Sequence, residues 1–222
     1  MNQRILVVDD HPLLREGLVH VIEAEPGLAV SAQAGSTAEA LDRIERDPPD
    51  LVLTDISLPD RSGLELIKDL HAVRPALPIL VLSMHDELIY AERVLAAGAR
   101  GYVMKEAAGE SLVEAIRAVL DGRIFTSPEV VSQIVDSLAS GGHAHSPSLV
   151  LKRLTDRELE VFELIGAGRD NRGIAEALQI SPRTVDAHRA HIREKLGFAD
   201  GTALTRYAIR SVEAGPVRRA GC

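Results

Sequence analysis

Residues 51–63 read LVLTDISLPDRSG. The first four, Leu51 to Thr54, form an apolar and β-branched run of the kind found in a strand covered on both faces. A carboxylate, Asp55, stands at the strand's end, ahead of Leu58-Pro59 and Ser62-Gly63, which signal a loop. One acid is thus aimed out of the end of an apolar strand, and its purpose has to be sought in the residues that could join it there.

Working outward, residues 1–122 alternate short apolar runs with amphipathic ones. Strands are predicted at Arg4–Val8, Ala29–Ala34, Leu51–Thr54, Ile79–Leu82 and Gly101–Met104. Helices are predicted at Pro12–Ala24, Thr37–Arg46, Gly63–His71, Glu87–Ala97 and Gly109–Asp121, with Ser36 and Asp86 as N-caps. Five β-α units in a row predict an α/β fold, a five-stranded doubly wound parallel sheet with helices on both faces. One more helix is predicted over 127–138, with Ser127 as cap and Pro128 in the first turn. The stretch ASGGHAHSPS, 139–148, has no apolar periodicity and reads as linker, His143 and His145 included. From Thr155 onward there is no strand signal, and helices are expected at 156–167, 172–178, 182–195 and 202–213. The expected organisation is an α/β domain over 1–122, a linker over 123–149, and a small all-α domain over 150–222.

Charge is split along the chain. Residues 1–122 hold 21 Asp/Glu against 11 Lys/Arg, whereas 148–222 hold 10 acids against 13 bases. An acidic first half suits a cation site, and a mildly basic tail permits phosphate contacts. No apolar run approaches the roughly 20 residues of a membrane span, and the start MNQRILVVDD has no long apolar signal core. The one cysteine, Cys222, leaves no internal disulfide. A soluble cytoplasmic protein without membrane attachment is expected.

In open α/β sheets, ligands bind outside the carboxyl ends of the strands. Asp9-Asp10 ends the first strand, Asp55 the third, Ser83 the fourth and Lys105 the fifth. Each alone has an ordinary reading as a cap, a turn residue or a surface charge. Together, three carboxylates at one edge repel unless something cationic joins them. Mg²⁺ would take oxygen ligands there, Asp9, Asp10 and Asp55, with a main-chain carbonyl from Ser57 in the following loop. Lys105 would add a fixed positive charge. Asp55 would then be a carboxylate nucleophile of the type that forms an acyl-phosphate. Ser83 would donate to the new phosphoryl group, and its movement would leave space for Tyr102, burying a ring otherwise partly exposed; the alternative for Tyr102 is a plain strand aromatic packed on a helix.

The motifs ILVVDDHPLLREGL, DLVLTDISLPDRSGLEL, VLSMHDE and AGARGYVMKEAAGESL resemble, in order, the receiver domain of bacterial two-component response regulators. The resemblance implies a flavodoxin-like fold, Asp55 as phosphoacceptor, a Mg²⁺ pocket of Asp9, Asp10 and Asp55, phosphoryl contacts from Ser83 and Lys105, a switch at Ser83 and Tyr102, and a histidine kinase as donor. Only self-phosphorylation from a donor and slow autodephosphorylation are expected, not enzymatic turnover, because Ser57 stands where a hydrolase using Asp55 would need a general acid.

In residues 154–197, a short helix, the turn Gln179-Ile180-Ser181 and a longer helix, 182–195, follow one another. Ser181 and Pro182 suit the start of the longer helix. Arg183, Thr184, His188, Arg189 and Arg193 fall largely away from the apolar positions, a composition that favours DNA over a plain helical bundle. LTDRELEV, TVDAHR and IREKLG resemble the LuxR-type helix-turn-helix, and the whole chain is similar to the NarL/FixJ family of response regulators. This implies double-stranded DNA contact through 182–195, with Ser181, Arg183, Thr184, Asp186, Ala187, His188, Arg189, Arg193 and Lys195 as candidates. It also implies a homodimer through the last helix, by way of Leu204, Tyr207 and Ala208, the alternative being a helix packed on its own domain. Many relatives have lysine where this chain has Asp186, which is expected either to accept from cytosine N4 or to pair with Arg183 or Arg189. The alternative to phosphorylation control is a regulator that ignores phosphate and uses the first domain to bind a partner protein.

Overall fold

The computed structural model describes residues 2–139, 150–151 and 153–213. The linker residues His143 and His145, and Cys222, lie outside them. The chain divides into two compact units, one up to Gly142 and one from His143.

The first unit is a five-stranded parallel sheet in the order β2-β1-β3-β4-β5, with β1 Gln3–Val8, β2 Leu28–Ala34, β3 Leu51–Thr54, β4 Ile79–Ser83 and β5 Gly101–Met104. All four residues of β3 are buried, as expected for a central strand covered on both faces. Ile5, Val7, Leu51, Leu53, Leu80 and Leu82 pack on one side with Leu18 and Ile22 of α1 (Pro12–Glu23) and Leu112, Ala115, Ile116 and Val119 of α5 (Ala108–Leu120). The remaining helices are α2 (Thr37–Arg46), α3 (Gly63–Val73) and α4 (Glu87–Ala97). Ser36 caps α2, accepting from Glu39 N–H, and Asp86 caps α4, accepting from Leu88 N–H at 2.9 Å. Between β5 and α5 the chain makes a 3-10 turn, Lys105–Ala107, which starts at Lys105 itself. The helical winding therefore begins before the expected Gly109.

Residues read from sequence as the start of the linker pack on this first unit. Phe125 bridges to Gly101 of β5, and Tyr102 N–H donates to Phe125 O at 2.9 Å. Helix α6 (Pro128–Ala139) lies against α4: Val130 is buried, and Gln133 Nε2 donates to Leu88 O at 2.9 Å.

The second unit is helical: α7 (Asp156–Gly166), α8 (Asn171–Ala177), α9 (Pro182–Leu196) and α10 (Gly201–Glu213). Thr155 and Glu158 form a reciprocal capping box at the start of α7. Ser181 caps α9, accepting from Thr184 N–H at 3.1 Å, and Pro182 occupies the first position. Gln179, in the turn between α8 and α9, adopts φ 52°, so the reversal of direction uses a left-handed residue that is not glycine. Asp200 accepts from Ala203 N–H at 2.8 Å, which starts α10 at Gly201, one residue before the predicted Thr202.

Candidate functional site

Strand pairing places the acids. β1 and β3 are neighbours, and Asp55 N–H donates to Val8 O at 2.9 Å, so Asp9 and Asp55 leave the sheet side by side. Both are nearly fully buried, at 2% and 3% exposure. Lys105 comes from the end of β5 and reaches across β4. Its Nζ lies 2.7 Å from Asp9 Oδ2 and 2.7 Å from Asp55 Oδ2. The remaining oxygens are held by main chain: Asp9 Oδ1 accepts from His11 N–H at 2.8 Å, and Asp55 Oδ1 from Ile56 N–H at 2.6 Å. Burial by itself would lower the Lys105 pKa. Its hydrogen bonds to Asp55 and Asp9 outweigh that and hold the ammonium above its ordinary value.

Gly63 fixes the loop behind Asp55. Its N–H donates to Ile56 O at 2.7 Å, and a Cβ on it would stand 2.0 Å from the Asp55 carbonyl oxygen. Only a residue without a side chain allows α3 to begin this close to the strand.

Asp10 is a third acid at the mouth, and His11, which sequence reading passed over, joins it with Nδ1 2.6 Å from Asp10 Oδ1. Ligand atoms of Asp9, Asp10, His11 and Asp55 all lie within 4.8 Å of one another. Three carboxylates against one ammonium leave two negative charges in excess. Their oxygens match the donor preference of a hard divalent cation.

The other expected residues sit around this cluster in different ways. Ser83, fully buried at the end of β4, accepts from His85 N–H at 3.4 Å. Ser57 Oγ is hydrogen-bonded to His85 Nε2 at 2.8 Å. Tyr102 corrects an expectation: its ring is 1% exposed, so no outward ring waits to be buried. Its hydroxyl reaches inward and donates to His85 O at 2.7 Å, which satisfies the polar end and lets the ring stay inside.

In the second unit, the helix-turn-helix candidates separate into two groups. Arg183, Thr184, Asp186, Ala187 and Arg193 are exposed along α9, as is Ser181 before it, its hydroxyl committed to the cap. Lys195 and Arg189 are half-buried and bonded within their own domain. Lys195 Nζ lies 2.6 Å from the buried Glu158 Oε2, and Arg189 Nη2 donates to Thr205 Oγ1 at 3.2 Å. His188 is half-buried. Burial first, and the charge of Arg157 second, hold its imidazole below the ordinary histidine range. Asp186 pairs with neither Arg183 nor Arg189 as expected. It accepts instead from the amide of Asn171 at the start of α8, a residue sequence reading did not single out.

The expected dimer residues are also corrected. Leu204 and Ala208 are 1% and 0% exposed, and Tyr207 stacks on Phe198 and Phe162 with ring centroids 5.1 and 5.9 Å apart. They face α7 because α10 has one apolar stripe and its own domain consumes it.

The first unit matches the response regulator receiver domain over residues 5–117, and the second matches the bacterial regulatory proteins of the luxR family over 152–208. The chain belongs to the NarL/FixJ family of response regulators. It is 34% identical over 220 residues to the transcriptional regulatory protein DegU of Brevibacillus brevis, covering 94% of this chain and 93% of the relative. It is 33% identical over 210 residues to the oxygen regulatory protein NreC of Staphylococcus carnosus, covering 93% and 97%. Among solved structures, RcsB from Salmonella enterica serovar Typhimurium, bound to promoter rprA in the presence of phosphomimetic BeF3-, is 26% identical with a TM-score of 0.68, covering 94% and 99%. This response regulator therefore joins a receiver to a DNA-binding LuxR-type domain, and its relatives are transcription regulators rather than enzymes of metabolism. Among the described residues, no helix is long and apolar enough to cross a membrane.

Proposed function

We propose that this response regulator is switched by phosphorylation of Asp55. A histidine kinase donates the group: the P–N bond of its phosphohistidine breaks, an O–P bond to the Asp55 carboxylate forms, and the departing imidazole takes up a proton. Mg²⁺, held by Asp9, Asp10 and Asp55 with the Ser57 carbonyl, would supply charge neutralisation to the phosphoryl oxygens. Lys105, bonded to Asp55 Oδ2, neutralises the same group from the β5 side and holds the carboxylate in place. Ser83 donates to a phosphoryl oxygen. Tyr102, already inside, carries that movement through the His85 carbonyl to the start of α4. Phosphorylation then favours a homodimer whose two α9 helices lie on paired half-sites of double-stranded DNA, so that two modestly basic tails combine their phosphate contacts.

The observation that carries this reading is the double bridge of Lys105 to Asp9 and Asp55 at 2.7 Å each, which joins the ends of three strands through one ammonium. The RcsB structure, bound to a promoter in the presence of a phosphomimetic, supports by analogy a link between the phosphorylated state and DNA binding. The test is acetyl phosphate with Mg²⁺, followed by a mobility shift on genomic DNA fragments. Wild type should gain the mass of one phosphoryl group and bind more tightly. Asp55→Ala should do neither, and chelating the metal should abolish labelling. Equal DNA binding by wild type and Asp55→Ala, with and without the metal, would favour the phosphate-independent regulator instead.

A further inference from the structure

Asp186 is an anomaly on α9. It is an exposed carboxylate on the face assigned to a polyanion, where it repels phosphate. It is also held in place: one oxygen, Oδ1, accepts from Asn171 Nδ2, an amide presented from the first residue of α8. No other hydrogen bond or ion pair of Asp186 exists among the described residues, so Oδ2 remains available. The bond crosses from α8 to α9, which fixes the carboxylate against the helix pair.

A carboxylate only accepts hydrogen bonds. In the major groove just two bases offer a donor on their edge, cytosine through N4 and adenine through N6. Adenine places the N7 acceptor beside its donor, which a carboxylate oxygen meets as like charge. Cytosine has no acceptor on its own groove edge. Ala187, next along the helix and exposed, adds no competing polar group.

We propose that Asp186 reads a cytosine in each half-site, with Asn171 as the positioning residue that turns its free oxygen toward the base. This rests on the DNA-binding reading above and names what α9 selects. The cost of a negative charge on the DNA face is then a specificity device, lowering affinity for all sequences and returning it only where N4–H is present.

The test uses full-length protein treated with acetyl phosphate and Mg²⁺, with selection from a randomised duplex library and sequencing of the bound fraction. Wild type should show one position per half-site preferring cytosine by about tenfold. Asp186→Ala should lose that preference alone while binding mixed-sequence DNA more tightly. Asp186→Asn should move it toward adenine, because an amide can donate to N7 and accept from N6. Asn171→Ala should keep cytosine but weaken the preference. A purely structural Asn171–Asp186 link predicts instead weaker binding to every sequence with an unaltered base profile. That result, or an unchanged profile in both Asp186 variants, overturns the proposal. Failure of wild type to bind any duplex would overturn the DNA-binding reading with it, whereas intact wild-type binding confines the failure to Asp186.

Discussion

The two units treat charge in opposite ways. At the heart of the acidic site, Asp9, Asp55 and Lys105 are withdrawn from water, and each has its partner: Lys105 lies between Asp9 and Asp55, and main-chain N–H groups hold the remaining oxygens. Along α9, most charges stand in water and their partners are optional, except where the domain has drawn one inward, as with Lys195 on Glu158. A buried group is defined by its partners, so its role is tied to a fixed geometry. An exposed group is defined by what arrives, so its role depends on which way the side chain is turned. The same residue type, lysine, is a site component at 105 and a structural strut at 195.

The sharpest way to break this contrast is Lys105→Ala. It leaves two buried carboxylates without their cation and should cost about 3–5 kcal/mol in the absence of metal. Added Mg²⁺ should restore more melting temperature to the variant than it adds to wild type. Denaturant titration and thermal melts with and without Mg²⁺ check both, and a variant as stable as wild type in chelator would mean the carboxylates are not charged together. In the second unit, Leu204→Ala should destabilise folding by about 3 kcal/mol, through a cavity under α10. An effect on dimer formation with no change in stability would return Leu204 to the surface role it was first given.

Glu158→Gln sharpens the point about inward-turned charges. Burial tends to raise the Glu158 pKa, but Lys195 and Thr155 overcome it and hold it below the ordinary carboxylate range. A depressed pKa stabilises the fold above the unfolded value, near pH 4.3, and that contribution fades as pH falls through the folded value. The variant should be less stable than wild type at pH 7, and the gap to wild type should close as pH falls through the folded value. Parallel pH–stability curves would reject the assignment. The smallest effect separates two arginines of one helix. Arg183→Ala should weaken DNA binding at every sequence and lower the salt slope by about 1. Arg189→Ala should lower the salt slope less, because Arg189 is half-buried and already bonded to Thr205.

These outcomes track what the sequence makes legible. Strands 51–54 and 101–104 and helices 37–46 and 87–97 stand where their patterns place them, since strand ends, caps and apolar runs are local signals. Strand-end chemistry was legible for the same reason: in a parallel sheet every strand delivers its last residue to one edge. Side-chain direction was not. Leu204 and Ala208 look alike whether they pack on α7 or on a second chain, and Lys195 shows no sign in sequence of the acid 37 residues earlier that takes it. Tyr102 was misjudged because its hydroxyl partner is a main-chain carbonyl, which no residue pattern announces. The bond from Asn171 to Asp186 spans 15 residues between two short helices and becomes visible only once their crossing is known.

The absence of a side chain at Gly63 leaves the loop after Asp55 closed on itself, pinned at its neck from Ile56 to the start of α3. A methyl group there would wedge apart the backbone on which Asp55 rides, without altering any charge. Position 63 is thus where a neutral, conservative change should silence signalling while every titratable residue of the pocket is retained.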